Sequence, residues 1–147
     1  QIGKGISGAV AGPEVSEAGR EAAEALLGAA GPVVWFEDEA GLDAVTALSG
    51  SGPAYVFHLV EALAEAGRRQ GLSDAVARQL ARHTVIGSVA LLEADAAEPS
   101  VLRQNVTSPN GTTAAGLSVL MGEDGLVDLI DRTVAAARKR SEELGRG

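Results

Sequence analysis

Pro53-Ala54-Tyr55-Val56-Phe57-His58-Leu59-Val60-Glu61-Ala62-Leu63-Ala64-Glu65-Ala66-Gly67-Arg68-Arg69-Gln70 decides the fold. Pro53 suits the first turn of a helix, where its missing N–H costs nothing. Only His58, Glu61, Glu65 and the last turn are polar. A helix apolar on every face is either central in a core or covered by a partner subunit. The spacing predicts this helix over 53–70, with Gly71 ending it.

Downstream the pattern stays helical. Ser73 is placed to cap a helix reaching about Leu92. Its stripe of Ala77, Leu80, Thr84, Gly87 and Leu91 is narrow and small, so another backbone can come close. Pro99 opens a short helix through Val106, and a further helix is expected over 113–120. Gly122 and Gly125 bracket a break. A last helix, ending at Gly145, is expected to carry Leu126, Ile130, Val134, Ala137 and Leu144 inward. Arg138-Lys139-Arg140 is read as complementing its C-terminal dipole.

Upstream, Leu42 to Leu48 forms a short helix, broken by Ser49-Gly50-Ser51-Gly52-Pro53. Before Glu39 the reading changes to strand, helix, strand. Ile6 to Ala11 is strand-compatible, and Pro13 with Ser16 marks a helix start. Ala22, Ala23, Leu26, Leu27 and Ala30 give that helix an apolar face. Gly31-Pro32 stops it, and Val33-Val34-Trp35-Phe36 reads as a buried strand. Two strands and a helix make one βαβ unit with open edges, marginal in water. The expectation is that its neighbouring strands lie outside this sequence. Two domains follow, residues 1–39 and 40–147, in a mainly α chain. Gln1 rather than Met opens the chain, which is read as trimming.

Composition agrees. Of the 147 residues 46% are apolar but only 3% aromatic, so Ala, Leu, Val and Gly must build the core, which suits close helix packing. The net charge of −8 leaves no basic patch for a phosphate backbone, so no nucleic-acid partner is expected. There is no cysteine, so disulfides and thiolate metal sites are excluded. His58 and His83 stand alone in mid-helix, so no metal site is expected. No apolar run approaches a membrane span and no secretory leader is evident; the expected location is cytoplasmic. Glu37-Asp38-Glu39 is read as a solvated strand end.

Val106-Thr107-Ser108-Pro109-Asn110-Gly111-Thr112-Thr113-Ala114-Ala115-Gly116-Leu117 carries the chemistry. Pro109 and Asn110-Gly111 fix a tight turn, since Asn and Gly accept positive φ. Thr112 or Thr113 is placed to cap the next helix. Two readings stand. One is an ordinary turn plus N-cap. The other is a receptor for a small anion such as a carboxylate, built from amides and hydroxyls at a helix N-terminus. Ser49-Gly50-Ser51-Gly52 likewise admits a plain helix start, or a loop that a ligand can approach closely. It lacks the lysine of a P-loop and does not follow a strand.

Asp43 to Tyr55, around Ser49-Gly50-Ser51-Gly52-Pro53, and Leu102 to Leu120 resemble pyrroline-5-carboxylate reductase, at the spacing that family uses. Lys4 to Asp38 looks like the last βαβ portion of the family's Rossmann domain. The resemblance implies a helical dimerisation domain of the 6-phosphogluconate dehydrogenase C-terminal type, preceded by that remnant. It implies NAD(P)H-dependent reduction of 1-pyrroline-5-carboxylate to L-proline by a homodimer or higher homo-oligomer. It assigns substrate binding to Ser108, Asn110, Gly111, Thr112 and Thr113. The Thr113 hydroxyl would bond the ring nitrogen, as the catalytic residue. Ser49, Gly50, Ser51 and Gly52 would lie near the nicotinamide of NADPH or NADH. Many relatives have Gly-Gly at Asn110-Gly111, and Met121 stands where a polar residue is usual. Most of the cofactor domain is missing from this sequence, so the chain alone is expected to be inactive. The other open reading is a helical oligomerisation module without chemistry.

Overall fold

A computed structural model describes residues 3–146; Gln1, read above as a trimmed start, lies outside them. The chain forms two compact units. One runs to Gly52 and takes in the stretch from Arg132 onward; the other is Pro53–Asp131.

In the first unit, β1 (Ser7–Val10) and β2 (Val33–Phe36) pair in parallel, with Ser7 opposite Val33 and Val10 opposite Phe36. The crossover is α1 (Glu17–Gly28), capped by Ser16, whose Oγ accepts from the Gly19 amide at 3.2 Å. Strand β2 sends alternate side chains to opposite faces. Trp35 meets α1: its Nε1 donates to Glu24 at 2.5 Å, and the Arg20 guanidinium lies 4.5 Å from the ring centroid. Phe36 lies on the other face. There a Cβ on Gly41 would come within 2.7 Å of the Phe36 ring. A Cβ on Gly8 would come within 3.1 Å of Val45. Gly31 follows α1 at φ +146°, a conformation for glycine, and any side chain there would collide with the Gly5 carbonyl.

Asp38 is more than a solvated strand end. Its carboxylate accepts from the Ala40 amide at 2.9 Å and caps a 3₁₀ turn, Glu39–Gly41. Next comes α2 (Leu42–Val45). The predicted break at Ser49-Gly50-Ser51-Gly52 is not an open loop: Thr46–Gly50 winds as a π-helical turn. Residues from Arg132 of the last helix, α7 (Leu126–Gly145), return to this unit, where Ser141 Oγ donates to Asp43 at 2.5 Å.

The second unit opens with α3 (Gly52–Arg69). Gly71, at φ +95°, closes it in a Schellman arrangement: the Gly71 amide donates to the Arg68 carbonyl and the Leu72 amide to that of Gly67. Ser73 caps α4 (Asp74–Ala94), accepting from the Val76 amide. A Cβ on Gly67 would lie 3.4 Å from that of Ala77, so α3 and α4 approach closely through small residues, as composition implied. Then come α5 (Pro99–Asn105) and α6 (Thr112–Leu120).

Within a single chain, three helix faces differ from the sequence pattern. On α4 the packed stripe is Ala77, Ala81 and Val85; Leu80, Thr84, Gly87 and Leu91 are exposed. Shifting by one residue turns a helix by about 100°, and small alanines pack closer than the leucines can. Along α7, Val134 and Ala137 are half-buried, but Leu126, Ile130 and Leu144 are exposed. On α1, Leu26 also points out. The basic triplet is not at the end of α7. Arg138 pairs with Glu142 at 3.0 Å and Arg140 with Glu143 at 3.1 Å, one turn along the helix.

Only Ala47, Ala77 and Ala81 are buried among the described residues. On α3, Val56, Phe57, Leu59 and Leu63 are all exposed, so the helix read as apolar on all faces is not central within a single chain.

Candidate functional site

Six residues join α5 to α6. Thr107 closes α5: its Oγ1 donates to the Arg103 carbonyl at 2.6 Å and its amide to that of Gln104 at 2.9 Å. The Gly111 amide then donates to the Ser108 carbonyl at 3.1 Å, closing a four-residue turn. Pro109 occupies the second position, and Asn110 the third at φ +57°, the left-handed conformation that this turn type demands there. A Cβ on Gly111 would collide with the Ser108 hydroxyl, so that hydroxyl lies directly against the Gly111 backbone.

The threonines do not cap α6. Gly111 is the N-cap, in extended backbone, and no side chain accepts from the first-turn amides. The turn ends one residue earlier than the capping expectation required, so Thr112 and Thr113 become the first two helical residues. The Gly111 amide is engaged within the turn. The amides at the start of α6 are those of Thr112, Thr113 and Ala114, and nothing within the helix accepts from them. Both Thr112 and Thr113 are exposed. Such a bare first turn carries partial positive charge and a fan of donors, the arrangement that receives a carboxylate.

Thr113 also lines a groove of about 400 Å³ with Val89, Leu92, Val106, Leu117 and Arg103. Ser108, Asn110 and Gly111 of the turn and Thr112 of α6 do not line that groove. Arg103 escaped the sequence reading. Its contact with Met121 spans 18 residues, which no local pattern reports.

Ser49, Gly50, Ser51 and Gly52 fall in the first unit. The Ser51 amide donates to the Thr46 carbonyl at 2.9 Å, so the segment is wound rather than open. A Cβ on Gly52 would meet nothing within 4 Å. The backbone at Gly52 is therefore open to close approach. His58 is paired with Glu61 at 2.9 Å, within α3.

At residues 39–144 the chain matches the family model described as pyrroline-5-carboxylate reductase dimerisation, a span that includes the turn and all the helices from α2 through most of α7. The chain belongs to this pyrroline-5-carboxylate reductase family. It is 44% identical over 141 residues to a pyrroline-5-carboxylate reductase of Pseudomonas aeruginosa, covering 96% of this chain and 51% of that protein. The solved reductase of Coxiella burnetii is 37% identical with a TM-score of 0.84, over 94% of this chain and 51% of that one. A Plasmodium falciparum pyrroline carboxylate reductase, solved with NADP bound, is 28% identical with a TM-score of 0.75, over 94% and 53%. The chain thus spans about half the length of the relatives it matches. The helical domain expected from the resemblance is the one the family model describes, and the parallel pair β1–β2 with α1 precedes it. Among the described residues no helix is long and apolar enough to cross a membrane.

Proposed function

We propose that this chain is the substrate-binding and dimerisation portion of an NAD(P)H-dependent reductase that converts 1-pyrroline-5-carboxylate to L-proline. We place the boundary between a Rossmann remnant, residues 1–39, and the helical domain, residues 40–147, one residue inside the family match that starts at residue 39. The observation that carries the reading is the bare first turn of α6, inside that match. The substrate carboxylate lies against the Thr112 and Thr113 amides and the Ser108 hydroxyl, with Asn110 and Gly111 shaping the turn. That contact fixes the ring, so the imine nitrogen reaches the Thr113 hydroxyl. Reduction adds hydride to the imine carbon, the π pair moves to nitrogen, and nitrogen must hold a proton. A hydroxyl at hydrogen-bond distance stabilises that nitrogen without a strong base nearby. A bound nicotinamide cofactor supplies the hydride, and Ser49 to Gly52 would contact its ring. NADPH and NADH are both compatible with this reading.

Thr113→Ala tests it, in protein carrying both this chain and a nucleotide-binding domain. We expect turnover of pyrroline-5-carboxylate to fall by about 100-fold, the scale of a lost proton-handling group. Unchanged kinetics would remove Thr113 from the chemistry. If the unsubstituted protein neither turns over the imine nor binds L-proline, the chain is an assembly module only.

A further inference from the structure

Arg103 touches both ends of the segment that holds the site. Its carbonyl accepts from Thr107 Oγ1, where the turn opens. Its guanidinium reaches Met121, the C-cap residue of α6. Within the turn, the Gly111-to-Ser108 bond fixes only its own four residues. A nine-residue helix leaving a short turn is a lever, and whatever holds its far end sets its direction. The Arg103 side chain makes that contact. It is half-buried and lines the same groove as Val106, Leu117 and Leu102. A thioether is a weak acceptor, but the cation also stands at the negative end of the α6 dipole.

We propose that Arg103 is a positioning residue: through Met121 it holds the far end of α6 and so fixes where Thr113 and the bare amides stand. The clamp itself rests on geometry alone; its consequence for catalysis rests on the substrate-binding reading above. It explains how an exposed turn keeps a fixed aim without a capping side chain.

Amide hydrogen exchange without ligand tests the clamp, on Arg103→Leu, Met121→Leu and the double variant. Each single change should speed exchange of the Ala115 and Leu117 amides about tenfold, with α3 and α4 unaffected. The double variant should add nothing, because both changes remove one contact. Unchanged exchange overturns the proposal. So does equal acceleration in every helix, which marks a general loss of stability. An effect of Arg103→Leu without one of Met121→Leu overturns it too, because the guanidinium would then act elsewhere. In the complete enzyme, both single variants should raise KM for the imine about fivefold and leave KM for the cofactor unchanged. Faster exchange with an unmoved KM would uphold the clamp and overturn the assignment of this turn to the substrate.

Discussion

Asn110 and Gly111 show what a single residue decides here. Asn110 holds φ +57°, which costs most side chains about 1–2 kcal/mol. Asn110→Gly should therefore leave thermal stability nearly unchanged, and Asn110→Val should lower it by about that amount in chemical denaturation. Gly111 has an ordinary φ of −81°, so its requirement is spatial: a methyl there must displace the Ser108 hydroxyl. Gly111→Ala should therefore weaken L-proline binding by calorimetry more than it lowers the melting temperature. The turn was legible in the sequence because Pro-Asn-Gly acts through local sterics. The capping residue was misplaced by one or two positions, because where a turn ends depends on which amide closes it. Nothing local announced that Arg103 meets Met121.

The corner joining α3 to α4 carries a chain of ion pairs. Glu65 binds Arg68 and Arg69, Arg68 reaches Asp74 at 3.4 Å, and Asp74 pairs with Arg78 at 2.8 Å. The hydrogen bond from Arg69 leads in holding the Glu65 carboxyl below its usual range, and that from Arg78 does the same for Asp74. Carboxyls with lowered folded-state values stabilise above the ordinary carboxylate range and lose that contribution as pH falls through it. Melting temperature should thus drop as pH falls from neutral through the carboxylate range, and Glu65→Gln with Asp74→Asn should flatten the drop. High salt should shrink the difference, since the pairs are exposed. Ser16, Ser73 and Gly71 marked their helix ends correctly because caps answer to local hydrogen bonding. Of the stripe read on α4 only Ala77 is buried within one chain, because the neighbouring helix chooses Ala81 over Leu80, which are equally apolar in pattern. The π turn at Thr46–Gly50 was also beyond periodicity, which reads Ser-Gly-Ser-Gly as a break.

At the scale of the molecule the dominant fact is exposed apolar surface. Phe57 is 67% exposed and Val127 77%, in a chain whose only buried residues, among those described, are three alanines. Surface of that kind marks an interface, and the cover we propose is a second copy, in keeping with the dimerisation family the chain matches. Light scattering should give a dimer or larger assembly at micromolar concentration, and Phe57→Glu should shift it toward monomer. A wild-type monomer would contradict this cover. The sequence posed the choice, because a helix apolar on all sides must be central or shared, and in the structure α3 has no buried residue within one chain. The central claim is that the start of α6 receives the substrate carboxylate. An NMR titration of the labelled protein with L-proline tests it most directly. We predict saturable shifts concentrated in the amides of Thr112, Thr113 and Ala114. Saturating L-proline that leaves those three resonances in place would contradict it.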